Sequence, residues 1–202
     1  MRLNLGCGTV APADWLNVDY AIGARLNKSL ARPLARRIFS TPWPENVLIH
    51  DLTKPFPWPD ASVDAVYCSH TLEHLNREAG ERFMAECRRV LKPDGILRIV
   101  VPDLARIVRE YSSGKTDARD FLAELGAHAP WAGKGKLRHI AALFSGSLHL
   151  CMYDEKALLD LTACHGFTCH RAEPFESAIP GIRDIELEDR ARGELIIEGR
   201  WG

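Results

Sequence analysis

Apolar side chains in this chain fall into short runs divided by turn signals. RLNL (2–5), WLNVDY (15–20), NVLIHDL (46–52), VDAVYCS (63–69) and ILRIVVP (96–102) are too short for stable helices and end near Gly, Asp or Pro, so each predicts a strand. VDAVYCS is apolar on both faces apart from Asp64, as a strand buried in a parallel sheet tends to be. From Asn76 to Leu91, Phe83, Met84, Cys87, Val90 and Leu91 recur at helical spacing, with Asn76 placed to cap the helix and KPDG (92–95) to stop it. Residues 103–112 and 117–127 also predict helices, and 130–148 predicts a loop or lid. DEKALLDLTACHG (154–166) predicts a capped helix ending in Gly, and FTCHRAEP and GELIIEGRW predict the last two strands. Strands alternating with helix-length connections imply an α/β fold with a parallel sheet and crossover units.

Composition places few limits on this picture. At 202 residues the chain suits one domain, 1–202, with 103–150 as a substrate cap region. A net charge of -1 argues against a nucleic-acid partner. No apolar run reaches the length of a membrane span, and the first residues read as a core strand rather than a secretory leader. Six cysteines lie mostly inside apolar segments, as reduced thiols do in a cytoplasmic protein. The pairing in CHGFTCH fits no usual zinc spacing and reads as a helix stop and a strand.

The first chemistry lies in LNLGCGTV, where Gly6 and Gly8 follow the first strand. Glycines there let the main chain turn sharply and approach a ligand closely. Asp19 ends the second strand and suits ribose hydroxyls, since ligands of open α/β sheets bind beyond the carboxyl ends of the strands. Asp51 ends the third strand, where a carboxylate can accept from an exocyclic amine such as that of adenine.

LNLGCG, HDLTKPFPWPDASVDAVYCSHTLEHL, ECRRVLKPDGILRIVVPD and LHLCMYDEKALLDLTACHGF together resemble the class I S-adenosylmethionine-dependent methyltransferases, in their small single-domain branch. The resemblance implies a Rossmann-like, doubly wound, seven-stranded, mostly parallel sheet with an antiparallel last strand. It implies S-adenosyl-L-methionine as cofactor and S-adenosyl-L-homocysteine as product. Gly6, Cys7 and Gly8 would lie beside the methionine part, Asp19 on the ribose, Asp51 and Leu52 at the adenine, and Ser69 and His70 near the sulfonium and the substrate. The sequence departs from the family at Asn4, where an acidic residue is usual, and at Val10, where a third Gly is usual. Asp19 follows Gly8 by only 11 residues, which leaves little room for a first helix.

His70-Thr-Leu-Glu73-His74 also spells H-x-x-E-H, an inverted zinc-protease signature that needs a helix to bring its groups together. A strand running into His70 removes that geometry. Some relatives, the small-RNA 2'-O-methyltransferases and certain quinone-pathway O-methyltransferases, hold a divalent ion at E-x-x-E-H. The favoured reading here is a metal-free active-site turn, with His70 and His149 as candidate catalytic bases and Asp103 and Tyr153 as possible substrate contacts. The fourth strand is followed neither by [DN]-P-P-[YF] nor by Pro-Cys, which leaves a small-molecule or glycan acceptor, foremost a hydroxyl.

ARLNKSLARPLARRIF (24–39) carries five basic and no acidic side chains among apolar ones. It reads as a solvated helix interrupted at Pro33, with weak membrane-surface contact as the other reading. A nicotinamide-dependent oxidoreductase and a non-catalytic cofactor-fold module are the rival functions.

Overall fold

A computed structural model describes residues 1–29, 43–127 and 148–201. Within it the short apolar runs pair as seven strands: β1 (Arg2–Leu5), β2 (Leu16–Asp19), β3 (Val47–Ile49), β4 (Val63–Ser69), β5 (Leu91–Val101), β6 (Phe167–Arg171) and β7 (Leu195–Trp201). They form one sheet in the order β3-β2-β1-β4-β5-β7-β6. All neighbours pair in parallel except β7, which runs antiparallel to both β5 and β6. The expected reversed last strand is therefore present.

The helices are α1 (Ile22–Asn27), α2 (Arg77–Val90), α3 (Leu104–Ser112), α4 (Ala118–Glu124), α5 (Glu155–Cys164) and α6 (Glu188–Ala191). Asn76 caps α2 by accepting from the Ala79 amide at 2.9 Å, and Asp154 caps α5 from Ala157 at 2.8 Å. No helix lies between Gly8 and β2, as the short spacing requires. The expected lid at 130–148 falls almost wholly outside the described residues, and so does the basic segment beyond Ser29.

KPDG behaves differently from a simple stop. β5 begins at Leu91, which pairs with Val63 before the register shifts and Ala65 pairs with Ile96. Asp94 takes a φ of +63° inside that irregularity, so the turn is absorbed as a kink in the strand.

The two faces of the sheet are covered unequally. Phe83, Met84 and Cys87 of α2 and Leu158 of α5 pack with β1, β4 and β5 on one face. The other face meets Ile179, Ile182, Ile185 and Ala191 from the segment between β6 and β7, which holds only short helical turns. That segment is held down by Arg98, fully buried on β5. Its guanidinium donates to Glu186 through Nε and Nη2 (3.0 and 2.9 Å), to Glu198 (2.9 Å), and to the Glu176 and Glu173 carbonyls (both 2.9 Å). Every donor of the side chain is thereby used.

Arg89 of α2 ties down the loop before β4 in a similar way. It donates to Glu86, Asp60 and the carbonyls of Phe56 and Trp58 at 2.7–3.0 Å.

Candidate active site

Gly6 and Gly8 carry the chain off β1 with φ of +72° and +55°, conformations that side chains resist. A Cβ on Gly6 would overlap Thr71 Oγ1, so the glycine turn lies directly against the turn that follows β4. Asp19 Oδ2 accepts from the Gly8 amide at 2.8 Å and Oδ1 from Ala21 at 2.7 Å. One lone pair on each oxygen remains to take a hydroxyl.

A cleft of about 640 Å³ opens here at the carboxyl ends of β1, β2 and β4, and its walls include Gly6, Gly8, Asp19, Leu52, His70 and His74. Cys7 and Ser69 lie beside it in a narrow pocket shared with Asn4 and Arg190. Asp51 precedes Leu52 in the chain, and its Oδ1 accepts the amide (3.0 Å) and hydroxyl (2.7 Å) of Thr53. Both bonds fall on one oxygen, so the other keeps its acceptor capacity. Burial works against the charge of Asp51, but the Thr53 bonds and nearby Lys54 and His50 outweigh it and hold the carboxyl below its ordinary range.

Cys7 is no nucleophile at neutral pH. Burial, helped by the Asp19 carboxylate, pushes its thiol up to about 12.

After Ser69 the chain enters a 3₁₀ turn over Leu72–His74, not an α-helix, so the protease reading of H-x-x-E-H fails on geometry. His70 itself holds a φ of +48°, a strained conformation for a histidine. Its Nε2 lies 3.1 Å from the Arg190 carbonyl, and its Nδ1 lies 3.3 Å from Glu73 Oε1, outside hydrogen-bonding geometry. Burial disfavours the imidazolium, but the Glu73 carboxylate and the Arg190 carbonyl prevail and raise its pKa.

His149 does not line the cleft. It stacks edge-on against His74 with ring centres 5.1 Å apart. Burial lowers its pKa, with His74 and His70 acting in the same direction against Glu73. Asp103 caps α3 through Arg106 (3.1 Å) and pairs with Arg171 (3.1 Å), while the Tyr153 carbonyl accepts from Leu104.

Arg190 carries no signal in the sequence. It comes from the segment clamped by Arg98, donates to the Ser69 carbonyl at 3.3 Å and reaches within 3.7 Å of a Cβ built on Gly8. Only the folded return of the chain, 121 positions downstream of Ser69, brings it to the glycine turn.

Residues 3–99 match a family model described as a methyltransferase domain. A stretch of 104 residues is 34% identical to a Mycolicibacterium smegmatis protein named "Probable S-adenosylmethionine-dependent methyltransferase". The match takes in 50% of this chain and 37% of that protein, so the chain spans well under half of its relative's length. A solved S-adenosylmethionine-dependent methyltransferase from Mesorhizobium loti aligns over 98% of this chain and 89% of its own, with a TM-score of 0.53 and 18% identity. One from Thermotoga maritima aligns over 100% and 82%, with a TM-score of 0.52 and 19% identity. These two show a common fold. The sequence matches cover about half of the chain, and over that part it is similar to methyltransferases.

Proposed function

We propose that this protein transfers a methyl group from S-adenosylmethionine to a hydroxyl oxygen of a small-molecule or saccharide acceptor, releasing S-adenosylhomocysteine. One observation carries the reading: a single cleft has the glycine turn, Asp19 and Leu52 at one side and His70 and His74 at the other.

The residues fit the cofactor. Gly6 and Gly8 let the main chain lie against its methionine part, Asp19 can accept the ribose hydroxyls, and Asp51 and Leu52 serve the adenine amine and ring. The Arg190 guanidinium beside Gly8 offers a positive charge for the carboxylate of the cofactor's methionine part.

When bound, S-adenosylmethionine supplies a methyl carbon already activated by its sulfonium. The chain then has to align the acceptor, exclude water and take a proton. Of the two candidate bases only His70 lines the cleft. Nε2 carries a hydrogen while it bonds the Arg190 carbonyl, so His70 acts as base once it has released that proton to solvent and an acceptor hydroxyl has replaced the carbonyl. The hydroxyl proton then passes to Nε2, with the Nδ1 proton facing Glu73. The six free thiols support a reducing, cytoplasmic setting.

Calorimetry on cofactor-free protein tests the site. S-adenosylmethionine and S-adenosylhomocysteine should bind, with Asp19→Ala and Asp51→Ala each weakening them about tenfold or more. Unchanged affinity in both variants would remove the site. Turnover to S-adenosylhomocysteine against a panel of hydroxyl compounds and saccharides separates an enzyme from a non-catalytic module. His70→Asn should lower that turnover by a factor of about 10²–10⁴ without loss of cofactor binding.

A further inference from the structure

We propose that Glu73, His74 and His149 bind one divalent transition-metal ion at the edge of the cleft, in a site with an open position for an oxygen ligand. The three residues each offer a donor atom, and those atoms lie within 4.8 Å of one another. Metal–ligand bonds of about 2.1 Å in tetrahedral array put ligand atoms about 3.4 Å apart, a contraction that small side-chain rotations supply.

Glu73 is the strongest sign. Its side chain is 1% exposed, and neither carboxylate oxygen has a hydrogen-bond partner. The His70 ring, 3.3 Å from Oε1, pairs with it only when protonated, so beside a neutral His70 the buried carboxylate has no compensating positive centre among the described residues, which is costly. His149 repeats the pattern, since its Nδ1 is buried and unpartnered.

The surrounding chain orients the donors. His74 Nδ1 lies 3.1 Å from the Leu148 carbonyl, so it carries the proton and leaves Nε2 to ligate. The Glu73 carbonyl accepts from the Leu150 and Cys151 amides at 2.7 and 3.1 Å, which stitches the segment carrying His149 onto the turn carrying the other two. Gly126, with a φ of +64°, clears space for the imidazole, because a Cβ there would come within 2.5 Å of His149 Cγ.

Two imidazoles and one carboxylate suit an ion of borderline softness, such as Zn²⁺ or Co²⁺, rather than Mg²⁺, which demands oxygen. Three protein donors leave a coordination position open. His74 lines the cleft, so that position suits an acceptor oxygen; this last step alone rests on the methyl-transfer reading.

The test is titration of the metal-stripped full chain with Zn²⁺ by calorimetry and with Co²⁺ by visible absorption. One equivalent of each should bind, the Co²⁺ spectrum should be that of a low-coordinate site, and millimolar Mg²⁺ should not compete. His149→Ala, His74→Ala and Glu73→Gln should each weaken Zn²⁺ about tenfold or more, and Cys164→Ser should not. Absence of saturable binding, or one-equivalent binding that survives His149→Ala, overturns the proposal. Should Glu73→Gln fail to fold, His149→Ala decides. S-adenosylhomocysteine affinity measured on the same samples reports on the methyltransferase reading alone, so the two can fail separately.

Discussion

Asn4 and Asn17 face each other across β1 and β2, with Asn4 Nδ2 donating to Asn17 Oδ1 at 3.0 Å. The second hydrogen of Asn4 goes to the Val10 carbonyl at 2.8 Å, and Asn17 Nδ2 donates to the Pro12 and Trp15 carbonyls at 2.9 and 3.0 Å. This buried amide pair shapes the connection that stands in place of a first helix. Asn4→Asp, which restores the residue type usual in the family, would set a carboxylate against two acceptors. It should destabilise the protein by about 1–3 kcal/mol, read as a lower urea midpoint, and a neutral or stabilising result would refute the role given to the pair.

Gly6→Ala should combine a strained φ with overlap at Thr71, and so lower both stability and S-adenosylhomocysteine affinity. Gly114 is the control, with a φ of +75° and no atom within 4 Å of where a Cβ would stand. Gly114→Ala should cost only the backbone strain, about 1–2 kcal/mol, with no effect on binding. Thermal melts with and without the ligand separate the two variants.

Removing Arg98 leaves the buried carboxylates of Glu186 and Glu198 without their partner. Arg98→Met should therefore cost about 3–5 kcal/mol. Because the same residue clamps the segment bearing Arg190, S-adenosylhomocysteine affinity should fall as well. Denaturation and calorimetry on the same preparation would expose an Arg98 that matters only for stability.

The elements legible in the sequence are those with local causes. Asn76 and Asp154 announce helix starts through their own side chains, and the glycine turn announces itself through backbone freedom. Asp19 is expected at the cleft from its place at a strand end and Leu52 from the family resemblance, and both line it. His149 illustrates the limit, since it does not line the cleft. Arg190 and the meeting of His149 with Glu73 and His74 have no local signature, because contacts across such separations depend on how the chain returns. Arg98 reads as a flaw in an apolar strand until its five acceptors, drawn from residues 173–198, are in place.

Glu86 gives stability a pH dependence. Arg89 holds its carboxyl below the ordinary value of 4.5, with help from the Phe56 amide and against partial burial. A depressed carboxylate stabilises the fold fully above the unfolded value and loses that contribution as pH falls through the folded one. Glu86→Gln should thus destabilise the protein at pH 7, and the gap should shrink at pH 3. Urea unfolding at the two values is the measurement, and a gap that does not narrow would exclude the ionic account.

Gly126 and His149 nearly touch, so the chain that leaves after α4 comes back to the same point. Closing a loop at its base makes length inexpensive: doubling it adds only about 0.6 kcal/mol of closure entropy. The stretch between these two residues can therefore be lengthened at little cost to the fold that carries the cleft.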